Sequence, residues 1–178
     1  MNAIEVIILV VHFTVLALLA VYGVHRYVLA YLYVRYQKNA AQSLDAPEYT
    51  PYITIQLPVF NERFVIERLI DSVCAIDYPK DRLEIQVLDD STDDTSHIAL
   101  RSVRQWFDKG FDIKHIHRSE RVGYKAGALE AGSEVAKGEF IAIFDADFIP
   151  TADFLKRSVP HFQNSEIGMV QGRWGHLN

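Results

Sequence analysis

The stretch Phe140–Pro150, FIAIFDADFIP, decides how the rest of the chain reads. Phe140 to Phe144 are all apolar, which fits a buried strand. Asp145 and Asp147 then arrive together, with one alanine between them. Carboxylates are rarely left in a core without a partner, so something is expected to neutralise this pair. Alternate side chains of a strand share a face. The spacing therefore predicts two carboxylates aimed at one point, with Ala146 turned away. A hard divalent cation takes oxygen ligands and bridges to a diphosphate, which makes Asp145 and Asp147 the candidate metal ligands. A lone D-x-D is an ordinary pair of acids; its place at the end of an apolar strand, closed by Pro150, gives it weight.

Outward from this stretch the periodicity switches repeatedly between strand and helix. ITIQLPV (53–59), EIQVLDD (84–90) and FDIKHIH (111–117) read as strands. Residues 62–75, 93–109, 125–136 and 152–162 carry helical spacing, and GMVQGRW (168–174) begins a further strand. Such alternation predicts a layered α/β fold with a mainly parallel sheet. In that architecture ligands bind at the carboxyl ends of the strands.

The unusual polar residues fall at those ends. After the first strand, Pro58 cannot donate a ladder hydrogen bond and marks where pairing stops. Asn61 and Glu62 follow, either as N-cap and dipole partner of the next helix or as a polar rim for a ribose or base. The second strand ends in VLDDSTDDT (87–95), with more acids than one helix cap needs. Asp89 and Asp90 stand at its tip, able to accept from a base N–H or from sugar hydroxyls. Ser91 or Asp93 suits the cap. Lys125, in GYKAGAL (123–129), opposes the helix dipole, and reads either as a surface lysine or as one facing an anion. Neither G-x-G-x-x-G nor G-x-x-x-x-G-K-[ST] occurs, which weakens dehydrogenase and P-loop readings. His97, His115, His117, His161 and His176 read as ordinary. Cys74, the single cysteine, reads as a buried helix residue and permits no disulfide framework within the chain.

The N-terminus differs in kind. Val6–Val24 is apolar except for His12, long enough to span a bilayer, with Glu5 before it and Arg26, Arg35 and Lys38 after it. The positive-inside rule predicts an outside N-terminus and a cytoplasmic domain, with lipid bilayer as a partner. Residues 1–38 thus read as a transmembrane helix and juxtamembrane extension, 39–51 as a polar, proline-bearing linker, and 52–178 as the domain. The net charge is −5, and no basic run stands out in the second half, which argues against nucleic acid.

Together LPVFNE, VLDDSTD, GYKAGAL and FDADF stand in the order seen in inverting family 2 glycosyltransferases. The chain resembles the cellulose-synthase-like branch, with its mannan- and glucan-synthase-like enzymes, over about residues 50–178. The resemblance implies a GT-A (Rossmann-like) fold and a nucleotide-diphospho-sugar donor of UDP-glucose or GDP-mannose type. It implies Mn2+ or Mg2+ on Asp145 and Asp147. Asp89 and Asp90 would lie near base and ribose, Pro58, Asn61 and Glu62 along the nucleotide, and Lys125 near base or diphosphate. A glycan or lipid hydroxyl would be the acceptor. The family's general base and its Q-x-x-R-W motif are expected beyond Asn178, so the chain reads as the donor-binding, N-terminal part of a larger enzyme. Arg173–Trp174 belongs to a different strand from that motif. The competing expectations are a nucleotide-binding membrane module without turnover and, more remotely, a nucleotidyltransferase.

Overall fold

The computed structural model describes residues 2–36 and 49–172. The chain divides into two units, Met1–Ser43 and Leu44–Asn178. Lys38, residues 39–48 of the expected linker, and the Arg173–Trp174 end of the expected last strand lie outside the described residues.

The first unit contains one helix, α1 (Ala3–Tyr36), of 34 residues. At 1.5 Å per residue it is about 51 Å long, more than the ~30 Å of a bilayer's hydrocarbon core. Its start is fixed by a reciprocal cap: Asn2 N–H donates to Glu5 Oε2 (3.0 Å) and Glu5 N–H to Asn2 Oδ1 (2.8 Å). None of its side chains is buried. By length and composition α1 can cross a membrane.

The second unit is built on a four-stranded parallel sheet of order β3-β2-β1-β4. The strands are β1 (Ile53–Val59), β2 (Leu83–Asp89), β3 (Asp112–His117) and β4 (Phe140–Ile143). Helices α2 (Ile66–Cys74) and α3 (Thr95–Asp108) make the crossovers that carry the chain outward to β3. Helix α4 (Tyr124–Glu134) carries it back past β1 to β4. Reversing direction while keeping right-handed crossovers sends α4 to the opposite face from α2 and α3.

The two faces differ as that arrangement requires. Ile53, Ile55, Leu57 and Val59 of β1, with Ile85 and Val87 of β2, pack in one apolar cluster with Leu69, Ile70 and Val73 of α2 and Ala99 and Val103 of α3. The other face carries buried polar pairs in register. Thr54 Oγ1 donates to Glu84 Oε2 (2.7 Å), and Gln56 Nε2 to Gln86 Oε1 (3.1 Å). Helix α4 packs over them through Gly132, where a Cβ would sit 2.7 Å from Gln56 Nε2 and 2.8 Å from Leu88 Cδ2.

Glu84 is fully buried and also accepts from Lys114 Nζ (2.6 Å) and Lys137 N–H (2.8 Å). Burial opposes its ionisation, but these donors outweigh burial and leave its carboxyl below the ordinary value. A carboxyl depressed on folding contributes stability above its unfolded pKa, and that contribution is lost as pH falls through the folded value. Unfolding midpoints in urea are therefore expected to drop below about pH 4. Glu84→Gln should flatten that limb; an unchanged acid limb would contradict the assignment.

Several elements differ from their expected bounds. The helix expected from residue 62 begins at Ile66, because residues 63–65 form a turn in which the Glu62 carbonyl accepts from Val65 and Ile66 N–H (both 3.1 Å). Asn61 is therefore not an N-cap. The helix expected over 152–162 is a short α5 (Phe154–Ser158) running into a 3-10 turn, Val159–Gln163. Pro160 there has no N–H to continue the α-helical ladder. Residues 168–172 form no strand. Tyr49 packs against the apolar cluster, and Tyr78 Oη donates to the Pro51 carbonyl (2.6 Å), so the end of the expected linker belongs to this unit. Cys74 is buried at the end of α2, as expected, and burial pushes its thiol up to about 12, far from thiolate reactivity.

Strand β4 differs most. It stops at Ile143, and it is not buried on both faces: Ile141 and Ile143 are exposed. It is an edge strand among the described residues, with β1 on one side. Asp145 and Asp147 consequently lie beyond the strand, in a turn closed by Phe148 N–H donating to the Asp145 carbonyl (2.9 Å).

Candidate functional site

The strand order reverses between β1 and β4, where a doubly wound sheet opens a crevice. A cavity of about 350 Å³ lies there. Six of the eight residues expected at the site line it: Pro58, Glu62, Asp90, Lys125, Asp145 and Asp147. Asn61 and Asp89 do not.

Pro58 explains why the crevice opens. Gln56 carbonyl still accepts from Phe144 N–H (3.2 Å), whereas Val59 carbonyl accepts from Asp90 N–H (3.0 Å) on the β2 side. Alternate residues of a parallel strand bond to opposite neighbours, so position 58 faces β4 and has no N–H to offer. Pairing with β4 ends at Gln56, while pairing with β2 continues to Val59↔Asp89. The expectation that Pro58 ends pairing thus holds on one side only.

The two aspartates reach the cavity by a different route from the one their spacing suggested. They converge through the turn at 145–148 rather than through strand alternation, and Ala146 lines the cavity with them. Asp145 is ion-paired with Lys125 Nζ, which places the first-turn lysine against an anion. Asp147 is exposed and makes no ion pair among the described residues. Two accessible carboxylates on one turn offer oxygen donors only, the ligand set of a hard cation such as Mn2+ or Mg2+. The residues fit that group, with Lys125 as its electrostatic stand-in.

Asp90 is held at the opposite wall. Arg118, the residue after β3, grips it with both arms of its guanidinium, Nε to Oδ1 (2.7 Å) and Nη2 to Oδ2 (2.6 Å). The same guanidinium donates to the carbonyls of Val122 (3.2 Å) and Tyr124 (3.1 Å), pinning the loop that leads into α4. That loop turns through the left-handed region, freely at Gly123 (φ 72°) and with strain at Tyr124 (φ 51°). The conformation sets the start of α4 and hence the position of Lys125. Arg121 stacks 3.4 Å above the Phe60 ring, lines the cavity, and keeps a buried Nε without a hydrogen-bond partner. Arg118, Arg121 and Phe60 were not singled out by sequence. The available signal was a pair of arginines between a strand end and GYKAGAL, in register with the acids of β2.

Asn61 and Asp89 act behind the wall. Asn61, at φ 56°, bridges the two strand tips: its N–H donates to Ser91 Oγ (2.9 Å), and its Oδ1 accepts from Thr92 N–H (2.9 Å). Asp89 is fully buried and accepts from Ser91 N–H (2.8 Å). Its Oδ2 lies 2.9 Å from His115 Nε2 and 3.2 Å from His117 Nδ1. Burial opposes ionisation, but the bonds from His115, Ser91 and Ser96 together hold the carboxyl well below the usual range. Asp93 Oδ1 accepts from Thr95 N–H (2.9 Å) just before α3, whose N-cap is Asp94 rather than the expected Ser91 or Asp93.

A family model described as Glycosyl transferase family 2 matches residues 54–177. The chain is 41% identical over 152 residues to glucomannan 4-beta-mannosyltransferase 1 of Cyamopsis tetragonoloba, covering 82% of this chain and 29% of that protein. It is 47% identical over 133 residues to probable glucomannan 4-beta-mannosyltransferase 11 of Oryza sativa subsp. japonica, covering 72% and 23%. The chain thus spans less than a third of the length of these curated relatives. Among solved structures, the mannosyltransferase PcManGT from Pyrobaculum calidifontis, in complex with GDP-Man and Mn2+, superposes with a TM-score of 0.62. That match has 32% identity and covers 80% of this chain and 42% of the other. S. aureus TarS 1-349 matches with a TM-score of 0.51 and 26% identity, covering 58% and 30%.

Proposed function

The chain belongs to glycosyl transferase family 2 with a GT-A-like fold, and from that premise we propose that it supplies the donor site of a metal-dependent hexosyltransferase. The donor is a nucleotide-diphospho-sugar, GDP-mannose in the first instance, and the acceptor is a growing glycan. The observation that carries the reading is the crevice itself. Two carboxylates, a lysine and an arginine converge from the turn after β4, α4 and the β3–α4 loop at the point where strand order reverses. The mannosyltransferase names of the relatives and the GDP-Man of PcManGT favour mannose over glucose.

In this reading Asp145 and Asp147 hold Mn2+ or Mg2+, which when bound neutralises the diphosphate and the charge that grows on it as the sugar departs. Lys125 exchanges its partner Asp145 for a phosphate oxygen. Arg121, poised on Phe60 with an unspent N–H, meets the base or the diphosphate. Glu62 and Asp90 face the ribose side, with Arg118 keeping Asp90 in place. Asn61 and Asp89 position the rim rather than touch the nucleotide. Helix α1 anchors the enzyme in a bilayer with its N-terminus outside and the domain cytoplasmic, following Arg26 and Arg35.

The test is titration of the purified chain with GDP-mannose and UDP-glucose, with and without Mn2+, by calorimetry. Saturable, Mn2+-dependent binding with GDP-mannose preferred is expected. Equal binding in a metal chelator would sink the metal role, and preference for UDP-glucose would redirect the sugar. Nucleoside triphosphate turnover with diphosphate release would instead favour a nucleotidyltransferase.

A further inference from the structure

The side chains of Asp89, His115 and His117 meet on the far side of β2 from Asp90, outside the cavity. His115 and His117 occupy alternate positions of β3 and share a face. The parallel register sets Asp89 directly opposite His117, and Val87 opposite His115. One ligand atom from each residue lies within 4.8 Å of the other two. Asp89 is fully buried, His115 nearly so with 10% of its side chain exposed, and His117 is 42% exposed.

We propose that this triad is a second metal site, for a borderline transition ion of the Zn2+ or Co2+ class. Two imidazoles and one carboxylate form the donor set such ions select, whereas Mg2+ and Mn2+ prefer the all-oxygen set of Asp145 and Asp147. The dimensions suit it. Ligands about 2.0 Å from a tetrahedral ion stand about 3.3 Å apart. The two His–Asp89 separations are 2.9 and 3.2 Å. The His115–His117 edge is within 4.8 Å, and half-exposed His117 has the freedom to adjust it. Without an ion the three groups satisfy one another by hydrogen bonds. The exposed side at His117 provides entry and a free coordination position for water. Bound metal would staple the tip of β2 to β3, directly behind Asp90 and Ser91. The proposal stands on the triad's geometry and is independent of the donor reading.

The test titrates the whole chain, in detergent, with Co2+ and follows the visible absorption of a four- or five-coordinate site. Binding of a single equivalent is expected in wild type and in the Asp145→Asn/Asp147→Asn double variant. His117→Gln and His115→Gln should each weaken it at least about tenfold, with circular dichroism confirming an intact fold. His117→Gln is the safer variant, since that ring is half exposed. No absorption in wild type, a signal retained in both histidine variants, or a signal lost with Asp145 and Asp147 would overturn the assignment.

Discussion

Asp147→Asn is expected to lower Mn2+-dependent affinity for GDP-mannose by roughly a hundredfold, with no loss of folding stability. Losing one carboxylate from a cation that bridges to a diphosphate removes an interaction of about 3 kcal/mol. Asp147 is exposed and makes no ion pair among the described residues, so nothing in the fold depends on its charge. Asp145→Asn should cost less affinity, because it releases Lys125 from its ion pair to meet the phosphates. Calorimetry with both variants separates the two. Unchanged affinity in both would place the cation elsewhere, and equal losses would deny Lys125 its exchange role.

Arg118→Met is expected to destabilise the protein by about 3 kcal/mol and to weaken donor binding with it. Asp90 is 5% exposed, and the bidentate grip of Arg118 is what compensates its charge. Removing one partner of such a pair leaves a buried carboxylate uncompensated. Arg121 Nε, 3.9 Å from Asp90, offsets part of the loss. The loop into α4 loses two carbonyl partners at the same time, so Lys125 shifts. A urea midpoint lowered by about 1–2 M would match that cost. Arg118→Lys keeps the charge without the fork and should fall between. Adding Asp90→Asn to Arg118→Met should recover stability but not donor affinity. A midpoint unchanged in Arg118→Met would mean that Arg121 alone compensates Asp90.

The contrast between β1 and β4 illustrates what was legible. ITIQLPV reads as a strand over 53–59 and is one over those residues, because β1 is central and paired on both sides. FIAIFDAD reads as a longer buried strand by the same criteria. Its apolar composition does not report that Ile141 and Ile143 lack cover, or that Pro58 on the neighbour ends the ladder. Asn61 looked like a helix cap because cap residues are recognised by type. Its backbone instead takes a left-handed turn, its N–H donates to Ser91 Oγ, and its side chain accepts from Thr92 N–H, about thirty positions away.

By itself the sequence determined the order of strands and helices, the apolar N-terminal helix, and the clustering of acids at strand ends. These follow from local periodicity and residue chemistry, which short-range physics fixes. Only the tertiary structure decided which of those acids face open space. Asp89 and Asp90 are neighbours of one type, yet pleating sends one to the histidines of β3 and the other to the crevice. Strand order, unlike strand identity, depends on which long-range pairings close. That order is what brought Lys125, Arg121, Asp145 and Asp147 to a single cavity.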